Sequence, residues 1–190
     1  MISNKNAEKV LRQIEKITER HFLPIIGWEK GKVLVDVVKK YKPKRILEVG
    51  TLVGYSSILM ASNLSKSSKI ISIEFRENAA DIARENIEEA GFEDVIEVRV
   101  GDAKEIIPRL KNEKEKFDMI FLDAVKDEYL DYLKLAEPMI GKGTVVVADN
   151  AGVFAEAMED YLDYVRNSGK YESENIQVGG DALEISVKLE

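Results

Sequence analysis

Two short stretches end apolar runs in residues able to do chemistry. In "IFLDAVKDEY" (120–129), Ile120, Phe121 and Leu122 run straight into Asp123, and Lys126 follows three residues later. "VVVADN" (145–150) stops in the same way, at Asp149 and Asn150. If the two strand ends are neighbours, they present three hard oxygen donors, which suit a cation such as magnesium with water or substrate completing its shell. Such a cation holds substrate oxygens and acidifies a bound hydroxyl. A like charge beside Lys126 favours its neutral, proton-accepting form, so this amine could take the hydroxyl proton. The plainer alternative makes Asp123 the cap of a helix starting near 127, with Lys126 in solvent.

A second group of residues fits a nucleoside. "EVGTLVGYS" (48–56) reads as strand, glycine-rich turn and helix start. Gly50 lets backbone approach a ligand and Gly54 allows tight packing, while Ser56 could cap the helix. No Gly-Lys-Ser/Thr follows, so this is not a P-loop, and the G-x-G-x-x-G of dinucleotide folds is missing. Glu74 lies 24 residues beyond Gly50, close to the roughly 20-residue offset at which an acid grips a ribose diol. Its two oxygens can accept both hydroxyl protons; the alternative is a solvated acid opening a helix at 76. In "GDA" (101–103), Asp102 and a backbone amide at Ala103 could read an adenine edge, although Asp102 would equally serve as a helix N-cap.

These positions need a scaffold, and the hydrophobic pattern supplies one. Helical spacing runs over 3–20, "HFLPIIGW" (21–28) interrupts it, and a second helix spans about 29–41. Strands are then predicted at 45–50, 69–75, 95–103, 117–124 and 143–150. Helices fall between them at 55–64, 77–91, around "KEIIPRL", and at 127–140, with a last one at 153–169. Two closing strands, near 171–178 and 182–189, have no helix between them and imply an antiparallel edge pair. Alternating strands and helices give right-handed βαβ units in a doubly wound, mostly parallel α/β sheet. Ligands of such sheets bind beyond the carboxyl ends of the strands, where every polar oddity above lies.

Composition narrows the chemistry further. The 190 residues, 45% hydrophobic, suit a single domain over 1–190, with 1–42 as N-terminal helices at the rim of a pocket. There is no cysteine, and the single histidine is His21. A thiolate site, a Ser-His-Asp triad and a multi-histidine zinc site are therefore excluded or disfavoured. A net charge of -7 disfavours an extended nucleic-acid surface; the basic "KKYKPKR" (39–45) suits a helix C-terminus instead. No apolar run is long enough for a bilayer span and the start lacks a signal-peptide pattern, so a cytoplasmic location without membrane partners is expected.

Five ordered motifs, "ILEVGTLVGYSS", "IISIEF", "VRVGDAKEIIPRL", "FLDAVKDEYLDYL" and "GTVVVADN", resemble the metal-dependent O-methyltransferases. This is the catechol O-methyltransferase-like group (methyltransferase family 3), which uses S-adenosylmethionine (SAM); the likeness covers residues 22–150. The resemblance implies a Rossmann-like class I methyltransferase fold, with SAM and Mg2+ or another hard divalent cation as cofactors. It implies a backbone contact to SAM at Ile26, Glu48 and Gly50 around the methionine portion, and Tyr55 and Ser56 at its amino-acid end. Glu74 would take the ribose, Asp102 and Ala103 would border the adenine, and Asp123 would touch both cofactor and metal. Asp123, Asp149 and Asn150 match the metal ligands and Lys126 the catalytic base. The implied acceptor is a small catechol-like molecule or vicinal diol.

Two departures stand out. "AV" (124–125) follows the metal aspartate where animal catechol enzymes carry a histidine and an aromatic. The segment after Asn150 is short, which predicts a more open pocket. His21, Phe22, Pro24 and Trp28 are candidate rim residues, whereas Tyr161 and Tyr164 read as core packing. A tRNA hydroxyuridine methyltransferase of the same fold is one alternative; a nucleotide-binding module or oxidoreductase without methyl transfer is another. A homodimer is compatible with the sequence, which does not encode oligomeric state.

Overall fold

Four strands, β1 (Arg45–Val49), β2 (Lys69–Glu74), β4 (Met119–Leu122) and β5 (Val145–Ala148), are almost unbroken apolar runs. Runs of that kind belong to strands covered on both faces. The computed structural model describes residues 4–190; residue 3, where the first helix was expected to begin, lies outside them. Side chains alternate between two cores with the two-residue period of a strand. Leu47, Val49, Ile71, Ile73, Ile120 and Leu122 face one core, while Ile46, Ile70, Met119, Phe121, Val145 and Val147 face the other.

The first core is covered by α5 (Ala103–Asn112), α6 (Tyr129–Ala136) and α7 (Glu159–Asn167). The second lies under α1 (Lys5–Thr18), α2 (Gly27–Tyr41), α3 (Tyr55–Ala61) and α4 (Glu77–Ala90). With β3 (Ile96–Val100), β6 (Tyr171–Val178) and β7 (Asp181–Lys188), the sheet has seven strands in the order β3-β2-β1-β4-β5-β7-β6. The doubly wound α/β reading holds. The expected antiparallel pair is present, and its second strand, β7, inserts between β5 and β6 and runs antiparallel to both.

Register decides which strand tips meet. Val49 lies opposite Leu122, and Leu122 opposite Ala148. The residues that follow, Gly50, Asp123 and Asp149, therefore form one row at the carboxyl edge. The Asp123 N–H donates to the Val49 carbonyl and the Asp149 N–H to the Leu122 carbonyl, each at 2.9 Å. Chain order reverses between β1 and β4, which places this row at the topological switch point.

One element is shorter than its sequence pattern. The helix predicted over 153–169 begins only at Glu159, and 151–158 form turns. The Asp181 carboxylate accepts the Gly152 and Val153 N–H groups at 3.2 and 3.0 Å, and Asn150 takes the left-handed φ of 65°. The start of the segment is thus tied to β7, and turns precede the regular helix. The helix predicted over 127–140 is likewise split. A 3-10 turn at Lys126–Glu128 precedes α6, and another at Glu137–Met139, carrying Pro138, follows it.

Candidate active site at the carboxyl ends of the strands

A cleft of about 850 Å3 opens over the switch point. Gly50 forms its floor at φ +107°, and a Cβ there would stand 2.0 Å from the Asp123 carbonyl oxygen. Only glycine permits this approach of β1 and β4, so the sequence-level reading of Gly50 acquires a steric cause.

One half of the cleft is suited to a nucleoside. Glu74, only 6% exposed, is no solvated acid. Its Oε2 accepts the Leu52 N–H at 2.8 Å and its Oε1 the Arg76 N–H at 3.0 Å, which aims the carboxylate into the cleft. Asp102 and Ala103 line the same half. Asp102 is also the N-cap of α5, accepting the Lys104 N–H at 2.8 Å, so both readings of it hold at once.

Four residues predicted at the cofactor lie behind this wall rather than on it. Ile26 is buried at the start of α2. The Tyr55 hydroxyl donates to Glu15 on α1. Ser56 does not cap α3, whose cap is Gly54; it donates instead to Glu48. Glu48 has no exposed surface and accepts hydrogen bonds from Ser56, Ser57 and Ser72. Burial pushes its carboxyl up to about 7, against the opposing pull of the three hydroxyls, with Asp123 adding repulsion.

The other half is the polar cluster that β4 and β5 bring together. Lys126 Nζ donates to Asp123 Oδ1 at 2.9 Å and to the Tyr129 hydroxyl at 2.8 Å. The 3-10 turn at 126–128 points this amine back at the strand tip instead of into solvent, and its side chain is 15% exposed. Tyr129 is fully buried; burial, then the charges of Asp123 and Asp149, hold its hydroxyl well above the usual phenol range. Asp149 is buried too. Desolvation raises its carboxyl and Asp123 raises it further, while Lys30 opposes both.

The donor set fits a hard cation on three counts. Asp149 Oδ1 is buried without a hydrogen bond, although Lys30 Nζ stands 2.6 Å away as an ion pair off hydrogen-bonding geometry. Asn150 turns its Nδ2 to Asp181 at 2.7 Å, which leaves the amide oxygen for a ligand. Asp123 accepts from Lys126 through Oδ1, leaving Oδ2 free among the described residues. Two carboxylates and an amide are the whole set: no cluster of three His, Cys, Asp or Glu side chains able to hold a metal occurs among the described residues.

The mouth is apolar. Phe22, 94% exposed, stands there with Phe75, Val125 and Phe154, and Pro24 lies beside Phe22. His21 and Trp28 lie outside the lining. Tyr161 is fully buried in the core, and Tyr164 packs on Tyr171 with ring centroids 6.1 Å apart, as expected of packing residues.

Comparison with known proteins bears on this arrangement. The O-methyltransferase family profile matches residues 1–175. This chain belongs to the O-methyltransferase family. It is 43% identical over 152 residues to catechol O-methyltransferase B of Danio rerio, covering 78% of this chain and 57% of that protein. It is 34% identical over 170 residues to catechol O-methyltransferase of Mus musculus, covering 87% and 63%. The chain thus spans about three-fifths of these curated relatives. An O-methyltransferase from Bacillus cereus, solved in complex with SAH, superposes with a TM-score of 0.85 at 30% identity, over 99% of this chain and 92% of that one.

The catechol O-methyltransferase-like resemblance of the sequence is therefore borne out at the level of family and fold. In and behind this cleft, four residues have roles that the sequence did not announce. Tyr129 carried a usable signal, standing three residues after Lys126 at the start of a helix. Tyr132 and Glu128, which line the cleft and hydrogen-bond each other, carried none beyond helical spacing. Lys30 had no local signal at all, because its partners are remote in sequence. None of the described helices is long and apolar enough to cross a membrane.

Proposed function

We propose that this chain is a SAM-dependent O-methyltransferase that methylates one hydroxyl of a small catechol-like or vicinal-diol acceptor, with a hard divalent cation, magnesium first, as cofactor. The observation that carries the reading is the convergence of Asp123, Lys126, Asp149 and Asn150 on one half of a cleft whose other half presents Glu74, Asp102 and Ala103. A nucleoside donor and an oxygen acceptor would thereby meet over Gly50. Family membership, and the SAH bound by the Bacillus cereus neighbour, support the same donor.

The residues divide the work. Glu74 accepts the ribose hydroxyls, and the backbone around Asp102 and Ala103 meets the adenine. Asp123, Asp149 and Asn150 would hold the cation, which when bound supplies a Lewis acid that acidifies and orients the acceptor's oxygens. Lys126 in its neutral form takes the acceptor's hydroxyl proton, and Asp123 and Tyr129 keep its nitrogen aimed at that position. SAM, when bound, would supply an electrophilic sulfonium methyl to that oxygen, so no covalent enzyme intermediate is needed. Positioning in line supplies most of the rate. The apolar mouth of Phe22, Val125 and Phe154 suits a flat aromatic acceptor.

The test is methyl transfer from labelled SAM to a panel of catechols and to tRNA, with and without EDTA. Transfer to catechols that is abolished by chelation and by Asp123→Ala is expected. Transfer to tRNA alone, or activity indifferent to EDTA, would overturn the acceptor or the cation respectively.

A further inference from the structure

Behind the polar half of the cleft lies a network that the reaction as written above does not use. Asp181, the first residue of β7, receives four donors on one carboxylate. Its Oδ2 accepts from Asn150 Nδ2 and from Lys30 Nζ, each at 2.7 Å. Its Oδ1 accepts the Gly152 and Val153 N–H groups at 3.2 and 3.0 Å. Lys30, on α2, also stands 2.6 Å from Asp149 Oδ1. Side chains of Lys30, Asp149 and Asp181 are 13%, 3% and 15% exposed, so water does little of the solvating. Burial alone would raise the Asp181 carboxyl, but its donors outweigh that and hold it well below the usual carboxylate range.

Backbone packing locks the same corner. A Cβ on Gly152 would lie 2.9 Å from the Ala182 nitrogen, and the Ala151 N–H donates to the Ala182 carbonyl at 2.9 Å. The turn after β5 is thus held against the start of β7, with Asn150 in its left-handed conformation. An asparagine amide has two faces: oxygen accepts, nitrogen donates. An ionised carboxylate only accepts, so Asp181 compels the Asn150 nitrogen to face it and the oxygen to face the cleft.

We infer that Asp181, with Lys30 as its counter-charge, is a positioning residue that presets Asn150 as an oxygen ligand. This rests on the cation reading given under Proposed function. Groups hydrogen-bonded to metal ligands typically contribute tenfold to a hundredfold in metal affinity.

Mn2+ binding, followed by the electron paramagnetic resonance of the free ion in the presence of saturating SAH, tests this without any turnover. Wild type, Asp181→Ala, Asn150→Ala and the double variant form a thermodynamic cycle. Asp181→Ala is expected to weaken Mn2+ at least tenfold, with SAH affinity within about twofold of wild type. In the Asn150→Ala background the further loss is expected to be about twofold or less, because the ligand being oriented is gone. Losses that multiply would show that Asp181 acts through its charge alone and overturn the inference, as would an Asp181→Ala variant that binds like wild type. Wild type that binds no Mn2+ would remove the cation reading itself, a distinguishable failure. If circular dichroism shows Asp181→Ala unfolded, Lys30→Met with Asp181→Leu replaces the ion pair at unchanged net charge, and the same tenfold weakening is expected.

Discussion

Replacing Glu48 by glutamine is expected to make the protein more stable at pH 8 than wild type, by an amount that vanishes in acid. Glu48 has no exposed surface, and its carboxyl is pushed from the ordinary 4.5 up to about 7, chiefly by burial. A folded-state pKa above the unfolded one means that the native chain binds more protons between those limits. Stability from this group is therefore complete below about pH 4.5 and is lost as pH rises through 7. The gap of about 2.5 in pH, at about 1.4 kcal/mol for each, amounts to about 3 kcal/mol. Glutamine can keep its oxygen on the side of Ser57 and Ser72, whose hydroxyls share one carboxylate oxygen, and turn its N–H toward the Ser56 oxygen, with no charge to desolvate. Urea unfolding of both proteins from pH 5 to 8, followed by far-UV circular dichroism without SAM or metal, measures the difference; other titrating groups cancel between them. A Glu48→Gln advantage growing by about 2 to 3 kcal/mol over that range is expected. A difference constant to within about 0.5 kcal/mol would refute the reasoning, since it would mean that Glu48 stays charged at no cost.

Four further outcomes are expected. Gly50→Ala pushes a methyl group onto the Asp123 carbonyl and holds alanine at φ +107°; a loss of at least about 3 kcal/mol in urea unfolding is expected, where a freely tolerated alanine would refute the contact. Glu74→Gln should weaken SAH by about 2 kcal/mol, or roughly thirtyfold by calorimetry, while leaving Mn2+ binding unchanged. Lys126→Ala should lower kcat by roughly a hundredfold to ten-thousandfold with SAH affinity kept, and unchanged turnover would remove Lys126 from the base role. Tyr129→Phe deletes the hydroxyl 2.8 Å from the Lys126 amine; a smaller fall in kcat, about tenfold, is expected with KM for SAM unchanged.

Much of the scaffold was legible because its causes are local. Apolar runs of buried parallel strands, proline and glycine stops, and the alternation of the two periods locate β1 to β5 and most helices within a few residues. Where reading failed, a remote side chain had intervened. The stretch 153–158 has a helical pattern, yet it forms turns whose start is tied to Asp181 on β7, and Ser56 looks like a cap but serves a carboxylate on β1.

The same division runs through the site. By itself the sequence determined the chemical types at each strand tip, the acid–lysine spacing of 123–126 and the family, since these are properties of neighbouring residues. Only the tertiary structure decided that β4 lies beside β5, so that Asp123 and Asp149 share one edge, and that β7 enters next to β5 carrying Asp181. It also set Glu48 out of reach of water and brought Lys30 to a partner 151 residues away. Pairing order and burial arise from how whole elements stack, and no local spacing encodes the distance between residues so far apart in the chain.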